Sequence, residues 1–412
     1  MKRKLIALIC LICCLQQSQA EKIDGINYIL NHNDSTATVT AMSDCEKDTL
    51  TIPESVSFNL VDYKVTHIDT KSFFSNIFLI KLSIGDAVIS IGDSAFINCR
   101  SLTSLNIGSA ETIGKRAFEG CDNLIEITFP ENLKSIGNSA FLNCSSLSDS
   151  LKIVSAETIG ERAFEGCGSL TSIILPDSLK SIGNSAFLNC RSLISLDILS
   201  AEIIGEHAFE RCDNLISISF PKNLKNIGKE AFLNCSSLPS LQIESAENIG
   251  EHAFEGCGKL TSITLPQNLE SIGKEAFINL SLTSLDIVSV ETIEERAFEG
   301  CDKLTSISLP PNLKSIGDLA FFNCSSLATL QIESAETIEE RAFEGCDKLT
   351  SISLPPNLKS IGDLAFFNCS SLATLQIESA ENIGERAFED CGKLKSIKFP
   401  QNLIGIGNSA FL

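Results

Sequence analysis

Tryptophan is absent from the 412-residue chain, tyrosine occurs twice and histidine four times. So few rings leave no stacking platform for nucleobases, and almost no group that titrates near neutral pH for general acid/base work. Positive charge is also short: 32 Lys and Arg stand against 52 Asp and Glu, a formal net charge of -20. No segment gathers enough basic residues to follow a phosphate backbone, which excludes a nucleic-acid partner. Beyond the first twenty residues no stretch of about 18 to 20 apolar residues occurs, so no transmembrane helix is expected. Serine is plentiful, but none lies in a nucleophile elbow, and no Cys-His-Asn set or isolated carboxylate pair stands apart. The chain reads as non-enzymatic, with no catalytic residue, cofactor or metal site.

What the chain does have is apolar material, 43% of its residues, enough to build a substantial core. Its start, Met1-Lys-Arg-Lys, then apolar Leu5 to Leu15, then the small residues Ser18 and Ala20, reads as a secretory signal peptide over 1–20. The protein is therefore expected to be secreted or to sit on the extracellular face of the cell surface. Seventeen cysteines suit such an exported chain better than a cytosolic one.

The dominant signal is a repeat. Ala-Phe occurs fifteen times, from Phe96 to Phe411, at spacings of 22 or 23 with one interval of 21 between Phe277 and Phe298, and Phe73 extends the series backward. Prolines 130, 176, 221, 266, 310, 355 and 400 mark a longer period of 44 to 46, so two coil types alternate. Residues 302–336 recur unchanged as 347–381, a copy of a 45-residue pair. Each unit opens with a run such as Leu170, Ile173 and Leu175, whose period-two part predicts a short strand of about four residues. Proline ends the strand, and Ala186-Phe187 places a small residue beside a large core filler. One coil cannot bury its own apolar side, so each Phe must stack on those of neighbouring coils.

The pattern Leu-x-x-(Leu/Ile)-x-Leu-Pro-x-x-Leu-x-x-Ile-Gly-x-x-Ala-Phe-x-x-Cys resembles the leucine-rich repeat of the BspA-like, or Treponema-type, family. The segment from Gly25-Ile-Asn-Tyr28 to Tyr63-Lys-Val-Thr-His-Ile68 resembles the β-rich start of such proteins. The resemblance implies an α/β solenoid of about 15 coils of 22–23 residues, with a parallel concave β-sheet and an N-terminal β-rich cap over 21–72. The repeats then run over 73–412, the last unit incomplete and without a C-terminal cap. It also implies a surface or secreted protein that adheres to host extracellular-matrix or cell-surface proteins. A structural or antigenic coat protein without one dedicated ligand is the alternative.

On this fold the outward strand positions are the candidate binding surface: Ser172, Ser195, Asp197, Ser217, Ser219, Ser240, Gln242, Ser262, Thr264, Ser284, Asp286, Ser306, Ser308, Thr329, Gln331, Ser351, Ser353, Thr374 and Gln376. This hydroxyl and amide ladder suits extended partners held by many weak contacts. The bland reading is that small polar groups merely suit an exposed sheet. Acidity falls in two columns, one from Glu111 to Glu381 and one from Glu119 to Glu389, read as a solvated face. A calcium ladder is disfavoured because Arg116, Arg162, Arg296, Arg341 and Arg386 are interleaved. His207 and His252 occupy that Arg position and read as exposed substitutions.

Thirteen cysteines stand three residues after a repeat Phe. Leu280 replaces one, and the run from Cys301 to Cys391 has five members, which neighbour pairing cannot satisfy. A column of buried thiols is expected rather than a disulfide framework. Zinc on this column is disfavoured, since it offers no close-spaced ligand pairs. Sequons at Asn33, Asn143, Asn234, Asn279, Asn323 and Asn368 are potential N-glycan acceptors, most of them copied with one Asn-Cys-Ser turn. The chain stops in mid-unit at Ala410-Phe411-Leu412. An uncapped coil end exposes apolar surface, so either end-to-end self-association or a truncated copy of a longer protein is expected.

Overall fold

The computed structural model describes residues 20–42, 45–148 and 150–412, so nearly all of the expected signal peptide lies outside the described residues. The chain forms two compact units, one ending at Leu147 and one running from Ser148 to Leu412.

The first unit opens with six strands: β1 (Glu21–Ile23), β2 (Ile26–Asn31), β3 (Thr36–Val39), β4 (Thr49–Ile52), β5 (Ser55–Phe58) and β6 (Val61–Ile68). Asp24 and Gly25, both at positive φ, make the two-residue turn between antiparallel β1 and β2, the conformation an Asp-Gly pair favours. β3 already pairs in parallel with β6, and the coils are joined through β4, which pairs with Lys81–Ile84, and through the end of β6, which pairs with Ser90–Ile91. Asn76, almost wholly buried, ties this start to the first coil. Its Nδ2 donates to Cys45 O at 2.8 Å, while its Oδ1 accepts from the N–H groups of Phe78 and Leu79.

Within each unit successive coils stack through three backbone rows. The long strands form one row, such as Ser195–Asp197 on Ser172–Ile174. A second row, not anticipated from the sequence, is a two-residue Ser-Ile strand, for example Ser181-Ile182 on Thr158-Ile159. The third is the Ala-Phe turn. The predicted strands are shorter than four residues in most coils, commonly three.

The structure corrects the α/β expectation: no helix forms among the described residues. The reason lies in the Ala-Phe turn. The N–H groups of Ala186, Leu188 and Cys190 close turns onto residues three back, but those of Ser185, Phe187 and Asn189 donate to Glu206, Ala208 and Glu210 of the next coil. Ser185 and Asn189 are left-handed, with φ of 55° and 63°. A left-handed residue breaks a right-handed helix, and here it turns every second N–H outward into an inter-coil ladder.

This geometry also explains the residue types. The position two after Phe is left-handed from Ser75 to Asp390 and mostly alternates Asn with Gly, such as Asn279 and Gly300, with Ser75, Arg211 and Asp390 as exceptions, because Asn and Gly tolerate that φ best. A Cβ on Gly300 would stand 2.1 Å from Asn279 Oδ1, so Gly lets the amide of the preceding coil lie close, whereas after Asn189 and Asn368 the next coil carries Arg211 and Asp390 instead. The Asn-Cys-Ser turns thus exist for backbone reasons whether or not a glycan is attached.

Phenylalanines fill the core in register. In the first unit Phe73, Phe96, Phe118 and Phe141 stack at centroid distances of 4.7 to 5.3 Å. In the second, the series from Phe164 to Phe411 continues at 5.1 to 5.4 Å, with rings within 10° of parallel. The cysteines of the column are buried, and their thiols donate to the Phe carbonyl of the preceding coil, as Cys301 does to Phe277 O and Cys324 to Phe298 O. Burial pushes Cys99, Cys257 and Cys301 up to about 12.

Candidate functional site

The period-two pattern of each long strand sends one residue inward and two outward. In the second unit Leu196, Leu241, Ile263, Leu285, Ile307, Leu330, Ile352 and Leu375 are buried at the strand centres. The candidate residues on either side of them are exposed, from Ser195 and Asp197 through Thr374 and Gln376; Ser172 is half-buried. Parallel pairing then aligns like with like. Ser195 sits beside Ser217, Ser240 beside Ser262, Ser284 beside Ser306, and Gln331 beside Ser353. Ser219 Oγ donates to Asp197 Oδ1 at 2.8 Å across neighbouring coils.

Within the second unit the ladder has two interruptions. Strand pairing lapses between Ser217–Ser219 and Ser240–Gln242, and again between Ser262–Thr264 and Ser284–Asp286. At the first, Pro239 stands where sister coils supply a donor: Ile216 N–H bonds to Ile194 O, and Thr261 N–H to Pro239 O. Proline has no N–H to continue the chain of bonds. At the second, the 21-residue coil that carries Leu280 lacks one residue of the turn.

The same face carries shallow depressions. One of about 540 Å³ is lined by Ser306, Ser308, Thr329, Gln331 and Ser351, another of about 630 Å³ by Thr374, Gln376, Ser396 and Lys398. In the first unit a depression of about 260 Å³ lies over Lys81, Ser104, Asn106 and Glu126. Apolar side chains interrupt the polar ladder on the second unit, where Ile174, Ile194 and Ile216 are about half exposed. These three were not among the candidates, although Ile194 and Ile216 stand where other coils carry Thr.

The acid columns are paired. Glu157, Glu202, Glu291 and Glu336 each accept from a Lys of the next coil, namely Lys180, Lys225, Lys314 and Lys359, at 2.5 to 2.6 Å. These bonds hold Lys180, Lys225 and Lys359 above the ordinary lysine value. The signal was present in the sequence as a Lys recurring 23 residues after each of these Glu, but it becomes legible only when coils are in register. In the second column Arg162 Nε lies 2.5 Å from Glu165, Arg296 Nε 3.2 Å from Glu299, and Arg386 pairs with Glu389. Most members of both columns therefore carry their own cations, which supports the solvated reading over a calcium ladder; Glu247 and Glu381 are followed 23 residues on by Glu270 and Ile404 instead of Lys.

The sequon residues Asn33, Asn143, Asn234, Asn279, Asn323 and Asn368 are all exposed. His207 and His252 depart from the expectation of solvent-exposed substitutions: their side chains are 33% and 21% exposed, and each faces carboxylates. No helix among the described residues is long and apolar enough to cross a membrane.

The sequence profile of the BspA type leucine rich repeat region matches residues 40–156, 66–193, 149–247, 242–337 and 329–412. Among solved structures, the chain is similar to a leucine-rich repeat protein from Bacteroides ovatus, with 27% identity and a TM-score of 0.62 over 93% of this chain and 90% of that one. It is also similar to a leucine rich cell surface protein from Faecalibacterium prausnitzii, with 27% identity and a TM-score of 0.45 over 92% and 94% of the two chains. No curated protein sequence matches it. Stacked Phe turns, parallel strand rows and a profile match over all but the first 39 residues agree, and the chain belongs to the BspA-type leucine-rich-repeat family.

Proposed function

We propose that the protein is a secreted or surface-exposed, non-enzymatic adhesion module that binds other proteins through its long-strand face. The observation that carries this reading is the in-register ladder of exposed Ser, Thr, Asp and Gln side chains with depressions running over it. Such a face offers the same small donors and acceptors coil after coil, so an extended partner gains affinity by adding contacts rather than by one deep anchor. The scarcity of aromatic and Arg anchors there makes each contact weak. The leader-like start supports export, and extracellular-matrix or cell-surface proteins are the partner class proposed.

The test is capture of matrix and cell-surface proteins by the full chain, compared with a variant carrying Ser284→Glu, Ser306→Glu, Thr329→Glu and Ser351→Glu. Captured partners should be lost with the variant while its circular dichroism is unchanged. Undiminished capture would sink the reading. A structural or antigenic coat is favoured by one observation, the unaltered copying of 302–336 as 347–381, since a dedicated site would be expected to differ between copies. Absence of any captured partner would favour it.

A further inference from the structure

We propose that the second unit carries two equivalent sites for a divalent transition-metal ion of the zinc class, one built by His207, Glu210 and Glu230 and the other by His252, Glu255 and Glu275. The argument begins in a column. Two residues before the repeat Phe, the Glu-rich coils carry Arg at 116, 162, 296, 341 and 386, and the intervening coils carry Ser or Leu, as at Ser139, Ser185, Leu319 and Leu364. Only at His207 and His252 is Arg replaced by His, and only in the coils directly following them is Ser or Leu replaced by Glu, at Glu230 and Glu275. The two changes recur together at a spacing of 45. Together they remove one positive charge and add one negative charge at each place.

In the structure the three side chains converge. His207 Nδ1 lies 2.9 Å from Glu210 Oε2 and 3.2 Å from Glu230 Oε2. His252 Nδ1 lies 2.7 Å from Glu255 Oε2 and 3.5 Å from Glu275 Oε2. In each group the three ligating atoms all fall within 4.8 Å of one another. Ligands about 2.0 to 2.1 Å from a tetrahedral ion are themselves roughly 3.3 Å apart, so little rearrangement is needed to admit one.

The surroundings orient the donors. Glu251 Oε1 faces His252 Nε2 at 3.2 Å, so a carboxylate is in place to hold that nitrogen while Nδ1 turns toward Glu255 and Glu275. That Nδ1 is buried and makes no hydrogen bond. Carboxylate oxygens this close to a ring nitrogen call for a cation between them, which either a proton or a metal ion supplies, and at the first site His207 Nδ1 lies within hydrogen-bond distance of Glu210 Oε2. The other oxygen of each added Glu is already engaged: Glu230 Oε1 lies 3.8 Å from Lys229 Nζ, and Glu275 Oε1 lies 3.8 Å from Arg296 Nη1 and 4.0 Å from Lys274 Nζ. One oxygen of Glu230 and of Glu275 thus lies toward lysine or arginine while the other points at the imidazole.

One imidazole nitrogen and two carboxylate oxygens with a remaining open position form a donor set for zinc and its neighbours in the transition series. Calcium, which takes six to eight oxygen ligands, is poorly served. The probe is zinc chloride titrated calorimetrically into the chelator-stripped full chain. Two zinc ions should bind per chain, one in either the His207→Arg or the His252→Arg variant, and none in the double variant. Arg is the residue of the sister coils, so it restores their Arg–Glu pair and keeps the fold, which an unchanged metal-free melting temperature verifies. No binding by the parent chain, or equal binding by the double variant, would overturn the proposal, as would calcium displacing zinc at equal concentration.

Discussion

The Ala-Phe turn and the long-strand face are copied equally often, yet they have been held to different standards. Along the turn, Ala and Phe are buried coil after coil as far as Phe388, the ring stack never breaks within a unit, and the one loss of Cys, at Leu280, substitutes another buried apolar side chain. Along the strand face only the central apolar residue is kept, while the outward pair ranges over Ser, Thr, Asp, Gln, Glu, Lys and Ile, and pairing lapses twice. Stacking against both neighbours constrains a residue far more than exposure to solvent does. The turn therefore keeps the array together, and the face is where coils can differ.

The largest effect expected from this contrast is alkaline unfolding. Unfolded thiols titrate near 9, whereas burial holds Cys99, Cys257 and Cys301 at about 12 and also raises Cys190, Cys212, Cys324 and Cys346 well above 9. Below pH 9 both states keep the protons and this contribution to stability is intact. Between 9 and 12 the unfolded chain releases protons that the folded chain retains, so stability falls as pH rises, by about 1.4 kcal/mol per pH unit for each such thiol. Melting temperature should be flat to about pH 8 and drop steeply above 9, and Cys257→Ala with Cys301→Ala should make the drop shallower. A melting curve indifferent to alkali would show that the column is not a set of buried thiols.

Next in size is a single step in the ring stack. Phe277 is fully buried between Phe254 at 5.4 Å and Phe298 at 5.3 Å. Phe277→Ala should cost about 3 to 5 kcal/mol, through lost burial and the cavity left between two rings. Ser306→Ala on the strand face should fall within about 0.5 kcal/mol of the parent. Chemical denaturation of both variants checks the comparison, and equal costs would erase the distinction between turn and face.

Much of this division was legible in the sequence. The period, the Phe column, the strand centres and the polar outward ladder all follow from spacing alone, because each depends on one residue per coil. What was hidden depends on two. Ile182, Ala186, Phe187 and Cys190 have a spacing that a helix would also bury on one face; only the left-handed φ at Ser185 and Asn189 chooses the turn, and Ser gives no warning of that. The pairing of Glu291 with Lys314, and the meeting of His252 with Glu275, lie 23 residues apart and appear only once adjacent coils are aligned. For the same reason the two-residue Ser-Ile row went unseen: two residues are too few to show a period.

The smallest effect tests whether the lapses on the strand face are local accidents or breaks in the ladder's design. If the first lapse arises because Pro239 has no N–H, then Pro239→Thr, which restores the residue of sister coils such as Thr261 and Thr283, should add the missing donor to Ile216 O. The gain is one backbone hydrogen bond, worth about 0.5 to 1.5 kcal/mol, offset by the greater freedom that the unfolded chain regains when proline is lost. A net stabilisation below about 1 kcal/mol is expected, and hydrogen exchange reports it more sharply. The new amide at 239 and those of Ser240–Gln242 should become protected to the level of Ser217–Ser219. Protection that stays unchanged at 240–242 would mean that the interruption is set by the path of the chain around it and not by the missing donor, and the face would then be discontinuous by construction rather than by one substitution.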